Sequence, residues 1–436
     1  MKRFANFSRT VSATPARWQS ITDPAQLPGV FAKAAKEGYT VRAMGAGHSF
    51  TPLVQTSGVL LNLDGFQGIE EVDALTHEVT FRSGTRLWQI PRLLRPYNLA
   101  LANMGDIDRQ SLAGAISTST HGTGLAFTGF SGMVSGLRIT LADGTEMRAS
   151  PTENAELFQA ARVSLGALGV ITHVRLRCVP EFMLSAVERV EDIDQISKSF
   201  IERSRSTDHL EFFWFSGTSR ALVKANTRLP AGISAPNAPG KVSTWLNDEL
   251  LSNGALQAIC TLGALRPQLI PRLNRLAAAA LSERKHTGQW YRVFTSPRRV
   301  RFTEMEYALP LESFGTAFAE FRAYLAKAPA PVVFPIEVRT AAADDTWLGT
   351  ASGRPTVYLA VHRYVRDNVP EYFPAAERIL RRHGGRPHWG KEHSLGASQL
   401  SALYPRFADF QAMRSTVDPQ GLFLNEHLRR LLVEEV

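Results

Sequence analysis

Cysteine is nearly absent from this sequence: Cys178 and Cys260 are the only two in 436 residues. They stand far apart and form no CxxC pair, which excludes a disulfide framework and a cysteine-based metal motif. That usage fits a reducing compartment, and a cytoplasmic location is the expectation. Long apolar runs are missing too. With no stretch of 18 or more apolar residues, no transmembrane helix is expected. Met1-Lys2-Arg3-Phe4 opens with positive charge, but no apolar h-region follows, so a signal peptide is not expected. Basic residues are scattered and no recognition motif appears, which argues against nucleic acid as a partner. The short clusters Arg298-Arg299-Val300-Arg301 and Arg381-Arg382 read as solvated faces. No internal repeat is visible.

The chain does have an excess of one sign of charge: 49 Lys and Arg against 40 Asp and Glu, a net +9. This fits solubility, and also attraction to anionic ligands, acidic partners or a membrane surface. The length favours two domains. The most apolar long region, 255–281, is interrupted by Arg266, Arg272 and Arg275. It reads as an amphipathic helix packed on the protein, with peripheral membrane contact as the lesser reading.

A short apolar run over 39–44 reads as a strand and runs into Gly45-Ala46-Gly47-His48-Ser49. The glycines let backbone approach a ligand closely and permit φ > 0. Adjacent N–H groups can form an anion-binding nest. A Rossmann turn would need a third glycine or alanine and an immediate helix. Phe50 stands at that third position, Thr51-Pro52-Leu53 follow, and another strand is expected over 59–63. Strand, glycine turn, strand is the wrong context. On this stretch alone, a tight turn with a surface histidine remains the plain alternative.

Around it, 22–38 reads as a helix capped by Thr22 or Asp23, with Pro24 in its first turn and Gly38 at its end. A strand is expected over 78–82, and a helix over 87–94 that Pro96 stops. Then comes a second glycine-rich stretch, 103–124, ending Thr118-Ser119-Thr120-His121-Gly122-Thr123-Gly124. Its small residues and hydroxyls can bring N–H groups against a phosphate or a flat ring. A flexible loop is the alternative, but Leu112, Ala113, Ala115 and Ile116 would be out of place in a solvated linker. A hairpin follows at 137–148, turning through Ala142-Asp143-Gly144-Thr145. A helix over 157–163, a small-residue turn over 164–169 and a buried strand over 170–178 complete a first α+β unit. The remainder alternates strands (210–215, 302–309) and helices (311–325) without a βαβ rhythm. A Pro/Gly/Ala/Ser loop is expected over 230–240.

Two later strands carry polar residues on one face. Over 333–339, Glu337 and Arg339 share a side opposite Ile336 and Val338; over 356–366, Tyr358, His362 and Tyr364 share a side. One such strand alone suits a solvated surface, but two suggest the floor of a polar pocket. His388-Trp389-Gly390-Lys391-Glu392-His393 then packs two histidines and a lysine into one loop. Two histidines at i, i+5 with no third ligand are poor zinc spacing, so no metal is expected.

Together these stretches resemble the vanillyl-alcohol-oxidase superfamily of FAD enzymes, in its sugar-lactone and alditol oxidoreductase branch. The resemblance spans nearly the whole chain. It rests on Gly45 to Ser49; on Gly105-Asp106 and Gln110 to Thr118; on Thr120 to Gly124; and on Leu165 to Ile171. In the C-terminal half it rests on Met305 to Pro310, Glu337-Val338-Arg339, His388-Trp389-Gly390-Lys391, and Asp418-Pro419 with Phe423-Leu424-Asn425. It implies an α+β, two-domain FAD-binding fold of the vanillyl-alcohol-oxidase type with an antiparallel-sheet substrate domain. The implied division is 1–180 for FAD, 181–403 for the substrate domain, and 404–436 returning to the FAD domain.

The resemblance further implies FAD held covalently through His48. Contacts are implied from Ala43, Met44, Gly45, Ala46, Gly47, Ser49, Asp106, Ser111, Gly114, Thr118, Ser119, Thr120, His121, Val170, Ile171 and Lys391. Neither cysteine lies on a glycine loop, so a second, cysteinyl bond is not implied. Removing a hydride to flavin N5 leaves negative charge near N1, which a cation stabilises; the resemblance places Lys391 there. Arg339 then serves the reacting oxygen, Glu337 orients Arg339 and the substrate hydroxyls, and His362 handles the proton. Asp106, Glu337, Arg339, Tyr364 and Lys391 are the implied substrate contacts. Alditol oxidases have serine and threonine at the positions of Asp106 and Tyr364. The expected substrate is therefore an aldono-1,4-lactone, with O2 or a redox carrier as electron acceptor. An alditol, a polyprenyl-phosphoryl sugar with non-covalent FAD, and a flavin-free sugar-binding role are the alternatives.

Overall fold

The computed structural model describes residues 2–230, 254–296, 299–327 and 332–433. The loop expected over 230–240 lies, beyond Pro230, outside the described residues, as does Arg298 of the first arginine cluster. Near the N-terminus, β1 (Arg17–Ser20), β2 (Val41–Met44) and β3 (Val59–Asn62) form a parallel sheet in the order β1-β3-β2. Val59 lies opposite both Arg17 and Val41. The helix α1 (Leu27–Lys36) connects β1 to β2, introduced by an Asp23-capped 3-10 turn over Pro24–Gln26. It buries Leu27, Phe31 and Ala34 against Val41, Val59, Leu61 and Phe423. No helix lies between β2 and β3, so the glycine–histidine turn itself is the crossover.

A second sheet orders β4 (Ile69–Asp73), β5 (Glu78–Arg82), β6 (Val134–Thr140), β7 (Glu146–Ala149) and β8 (Val170–Arg177) as β7-β6-β8-β5-β4, all antiparallel. Within the second glycine-rich stretch, α2 (Leu112–Ser117) is capped by the Ser111 side chain. Its Leu112, Ala115 and Ile116 are wholly buried, which is why the stretch is not a linker.

The third sheet has eight strands. They are β9 (Met183–Asp192), β10 (His209–Trp214), β11 (Arg220–Leu229), β12 (Arg284–Gln289), β13 (Phe302–Pro310), β14 (Ile336–Ala341), β15 (Thr356–Tyr364) and β16 (Arg386–Pro387). Their order is β12-β9-β11-β10-β14-β15-β13-β16, antiparallel throughout. On one face, α3 (Ile193–Ser206) packs on β9, β10 and β11, and Phe200 meets Phe212 edge-on at 5.0 Å. Residues 302–309 are all buried, so both faces of β13 are covered. The second face turns toward the glycine loops.

Three local expectations change. Residues 255–281 form two helices, α4 (Gly254–Leu265) and α5 (Ile270–Ala279). Pro267 lacks the N–H that a continuous helix requires and opens a 3-10 turn instead. The α-helix does end at Leu94, as expected, but Pro96 does not end the helical path. It sits in a further 3-10 turn, Arg95–Tyr97, which ends at left-handed Asn98. The strand expected from 333 starts only at Ile336, after Pro335.

The C-terminal segment returns to the parallel sheet. The Asp418 carboxylate accepts from the N–H groups of Leu422 and Phe423 at 2.8 and 2.9 Å. The Leu422 carbonyl in turn accepts from Val41 N–H at 2.8 Å. Among the described residues, no helix is long and apolar enough to cross a membrane.

Candidate active site

The turn after β2 is clamped from three sides. Phe7 N–H donates to the Gly47 carbonyl at 2.7 Å, the Asn6 side chain to the Ser49 carbonyl at 3.1 Å, and Phe50 N–H to the Gly390 carbonyl at 2.7 Å. Gly47 has φ +72°, a conformation that glycine adopts without strain. Arg42, at the base of the turn, is buried. It donates to the carbonyls of Leu53 (2.8 Å), Gly166 (2.8 Å), Leu165 (2.6 Å) and Phe423 (2.5 Å). One guanidinium thus ties the first glycine turn, the 164–169 turn and the C-terminal segment together.

Beside this junction runs a groove of about 1050 Å³, counting its open mouth. Ala43, Met44, Gly45, Ala46, Gly47, His48, Ser49, Ser111, Gly114, Thr118 and Ile171, which the resemblance implies for the cofactor, all line it. Gly45 and Gly114 keep it open. A Cβ on Gly45 would lie 2.4 Å from Ser111 Oγ. Ser83 Oγ and Gln110 Oε1, both on the groove wall, are buried without a partner among the described residues. A glycine-lined groove with orphaned polar atoms fits a polar, extended cofactor.

A second cavity, of about 1140 Å³ with its mouth, lies under the eight-stranded sheet. The two meet at His48, Ser49, Gln110 and Thr118, which line both. Of the predicted residues, Asp106, Thr120, His121, Glu337, Arg339, His362 and Lys391 line this second cavity. None of these seven lines the groove; Asp106 and Lys391 are expected against both cofactor and substrate, Thr120 and His121 against the cofactor. Three residues line neither space. Ser119 Oγ bonds Thr350 Oγ1 at 3.1 Å, and Val170 is buried in the core beneath the parallel sheet. Tyr364 is buried under α4, its hydroxyl accepting from Gln257 Nε2 at 2.7 Å.

The cavity floor is a charged network. Arg339 Nε donates to Glu211 Oε2 at 2.8 Å, and its Nη2 pairs with Glu337. Burial disfavours the guanidinium charge, but Glu337 and Glu211 more than compensate and hold its pKa above the usual value. Lys391 pairs with Glu304. The expected Glu337–Arg339 pair is thus present, but buried rather than on the surface. Sequence reasoning missed Glu211, Glu304 and Glu306 as partners. The alternation in 302–309 does put Glu304 and Glu306 on one face, and a lone carboxylate inside Leu210-Glu211-Phe212-Phe213-Trp214 was the signal for Glu211.

The histidines near the cavity differ in what holds their rings. His48 stacks on Phe7 at 5.3 Å. Burial first, then Arg86, Lys391 and Arg109, lower its pKa to about 4, so the imidazole is neutral and keeps a lone pair. His362 Nδ1 donates to the Pro335 carbonyl at 3.2 Å, which points Nε2 at Glu304 (3.5 Å) and Glu337 (4.0 Å). His121 Nδ1 donates to the Gly122 carbonyl at 2.8 Å, and its Nε2 faces Glu306 at 3.3 Å. A carbonyl can only accept, so Nε2 can bond the carboxylate only if a second proton lies between them. His121 also stacks on Tyr358 with centroids 3.5 Å apart. His121, Glu306 and His388 come close enough for a metal. However, His388 Nδ1 accepts from Gly390 N–H at 3.1 Å, leaving Nε2 of the neutral ring protonated and unsuited to ligation. His393, the other histidine of that loop, packs edge-on to Trp389 instead.

The fold is the two-domain FAD-binding fold of the vanillyl-alcohol-oxidase type, and the chain is an FAD-linked oxidoreductase. The cholesterol oxidase structure from B. sterolicum superposes with a TM-score of 0.81 over 99% of this chain and 96% of that one, at 17% identity. An FAD binding domain profile matches residues 17–150. The D-arabinono-1,4-lactone oxidase profile matches residues 174–431. The L-gulono-1,4-lactone dehydrogenase of Mycobacterium tuberculosis is 40% identical over 94% of both chains. The L-gulonolactone oxidase of Bos taurus is 29% identical over 98% of both. The chain belongs to the D-arabinono-1,4-lactone oxidase family.

Proposed function

We propose that this protein oxidises an aldono-1,4-lactone at a ring C–OH, with FAD seated in the glycine groove and bound covalently through His48. The observation that carries this reading is the meeting of groove and cavity at His48, with the Glu337–Arg339 pair and Lys391 on the cavity side. When bound, FAD supplies the hydride acceptor. The chain supplies the rest. Arg339 stabilises negative charge as the substrate hydroxyl loses its proton, and Glu337 fixes Arg339 and orients substrate hydroxyls. His362, its Nε2 among carboxylates, carries the proton away. Lys391 provides a fixed cation near the junction. Asp106 supports a ring lactone over a linear polyol, since it sets a carboxylate in the cavity where alditol oxidases have a serine.

The neutral His48 ring supports the covalent bond, because only an imidazole with a lone pair can attack an electrophilic carbon. In domain terms, residues to about 180 carry the cofactor, 181–403 cover it, and 404–436 return to it. O2 or a redox carrier serves as the electron acceptor. The test is steady-state oxidation of L-gulono-1,4-lactone and D-arabinono-1,4-lactone with O2 and with an artificial dye, beside linear alditols. Protein that contains FAD yet oxidises no aldonolactone with either acceptor overturns the reading. Acid precipitation should leave the yellow colour in the pellet, and His48→Ala should release it to the supernatant. Colour released from the wild type would overturn the covalent bond alone.

A further inference from the structure

The cross-strand register places residues of alternating charge in one row across the large sheet. Arg284 on β12 lies opposite Glu188 on β9, Glu188 opposite Lys224 on β11, and Lys224 opposite Glu211 on β10. The β10–β14 register, continued by one residue beyond Phe212↔Val338, sets Glu211 against Arg339. The row therefore runs from the edge strand β12 to the cavity. Its inner part is held by direct contacts: Lys224 Nζ to Glu211 Oε1 at 3.3 Å, and Arg339 Nε to Glu211 Oε2 at 2.8 Å. Glu211 is buried and does not line the cavity. Its two oxygens face two different cations, so it has a stake on each side of the sheet row.

The consequence for Arg339 is geometric. A guanidinium is a rigid planar fork. With Nε on Glu211 and Nη2 on Glu337, its plane and its rotation about the side-chain axis are both set. Glu337 alone would leave the fork able to pivot about a single contact. Among the described residues Nη1 has no acceptor, which leaves it as a donor to meet substrate.

We propose that Glu211, backed by Lys224, is a positioning residue that aims the Arg339 guanidinium into the cavity. Lys224 has a separate duty. Its Nζ lies 3.3 Å from the second oxygen of Glu211 and so offsets the cost of burying that carboxylate. This rests on the role proposed above for Arg339.

Three variants and one structure test it. Glu211→Gln should lower kcat by about 10²-fold, the loss expected of a misaimed catalytic group, with KM changed less than about threefold. Glu211→Gln takes from buried Lys224 its direct ion-pair partner, leaving Glu188 across the strand, so the variant is paired with Glu211→Gln/Lys224→Met, which removes both charges. The double variant should regain the melting temperature lost by the single one, yet keep the low kcat. Lys224→Met alone should keep kcat within about tenfold of wild type. Recovery of kcat in the double variant would mean that Glu211 is only structural, and wild-type kcat in Glu211→Gln would likewise overturn the proposal. The crystal structure of Glu211→Gln gives a reading independent of turnover. The guanidinium should leave its wild-type position, and an unmoved Arg339 refutes the proposal. If the wild type oxidises no lactone, the functional reading fails while that structure still decides the positioning role.

Discussion

Arg42 offers the sharpest test of how the cofactor groove is held together. Arg42→Met keeps an apolar stem of similar reach and removes every donor. Four carbonyls lose a bond. The Leu53 carbonyl keeps the Asn425 side-chain amide at 3.3 Å, but those of Leu165, Gly166 and Phe423 are left without a donor among the described residues. An unsatisfied buried acceptor costs about 1–3 kcal/mol; the carbonyls of Leu165 and Phe423 are buried and that of Gly166 only part-buried on the groove wall, so together they cost roughly 2–7 kcal/mol. Part of this is offset, because methionine pays no charge-burial penalty. Burial lowers the Arg42 pKa to about 10, with Asp418 only partly opposing it. A net loss of about 3 kcal/mol is expected, a large share of the roughly 5–15 kcal/mol that typically separates folded from unfolded protein. Urea melts would read it as a shift in midpoint at constant slope. Arg42→Lys, with three donors radiating from one atom rather than a fork, should lose about half as much. Because the three tied segments border the groove, bound FAD per protein should fall in the same order. A methionine variant that melts within about 1 kcal/mol of wild type and retains its FAD would refute the reasoning.

Gly45→Ala places a Cβ against Ser111 Oγ, which can yield only by giving up its cap on α2. Bound FAD should fall at least about tenfold, given that capping is worth about 1 kcal/mol and the new methyl also intrudes on the groove; full FAD content with unchanged far-UV circular dichroism counts against a tight fit there. Lys391→Met should lower kcat on the order of 10²-fold, the usual effect of deleting a charge that stabilises a transition state, and a steady-state kcat equal to wild type removes Lys391 from the chemistry. Stability should also depend on pH through His393 and His427. Burial, the largest cause for both, lowers each pKa to about 3, with Arg430 adding to it at both rings. Both rings are neutral in the fold, whereas the unfolded chain takes up protons below about pH 6.5. Their contribution is therefore complete above pH 6.5 and is lost as pH falls toward 3. Each contributes a slope of up to about 1.4 kcal/mol per pH unit in that window. His393→Phe should flatten the stability curve between pH 6 and 4 by about that amount, and parallel curves for variant and wild type would contradict it.

What the sequence revealed and what it hid divide along a physical line. The glycine–histidine turn and the pairing of Glu337 with Arg339 are legible because each is local. They depend on φ > 0 at Gly47 and on a spacing of two along one strand. The partners of those residues are not local. Glu211 reaches Arg339 across 128 positions, and Lys391 reaches Glu304 across 87. Such pairings are set by strand order β10-β14-β15-β13, which no periodicity reports. The same reason explains why residues of one loop divide between the two spaces. The 103–124 stretch passes from the cavity at Asp106 to the groove at Ser111 and back to the cavity at His121. Its sequence announces a ligand loop without saying which side each residue faces. Tyr364 shows the converse. Its position on the strand puts it on the same side as His362, yet α4 closes over it and Gln257 takes its hydroxyl. Alternation along a strand can therefore assign a face. Whether that face is a cavity or a covered core is decided by the helix that packs on it, and here that helix comes from residues about a hundred positions earlier.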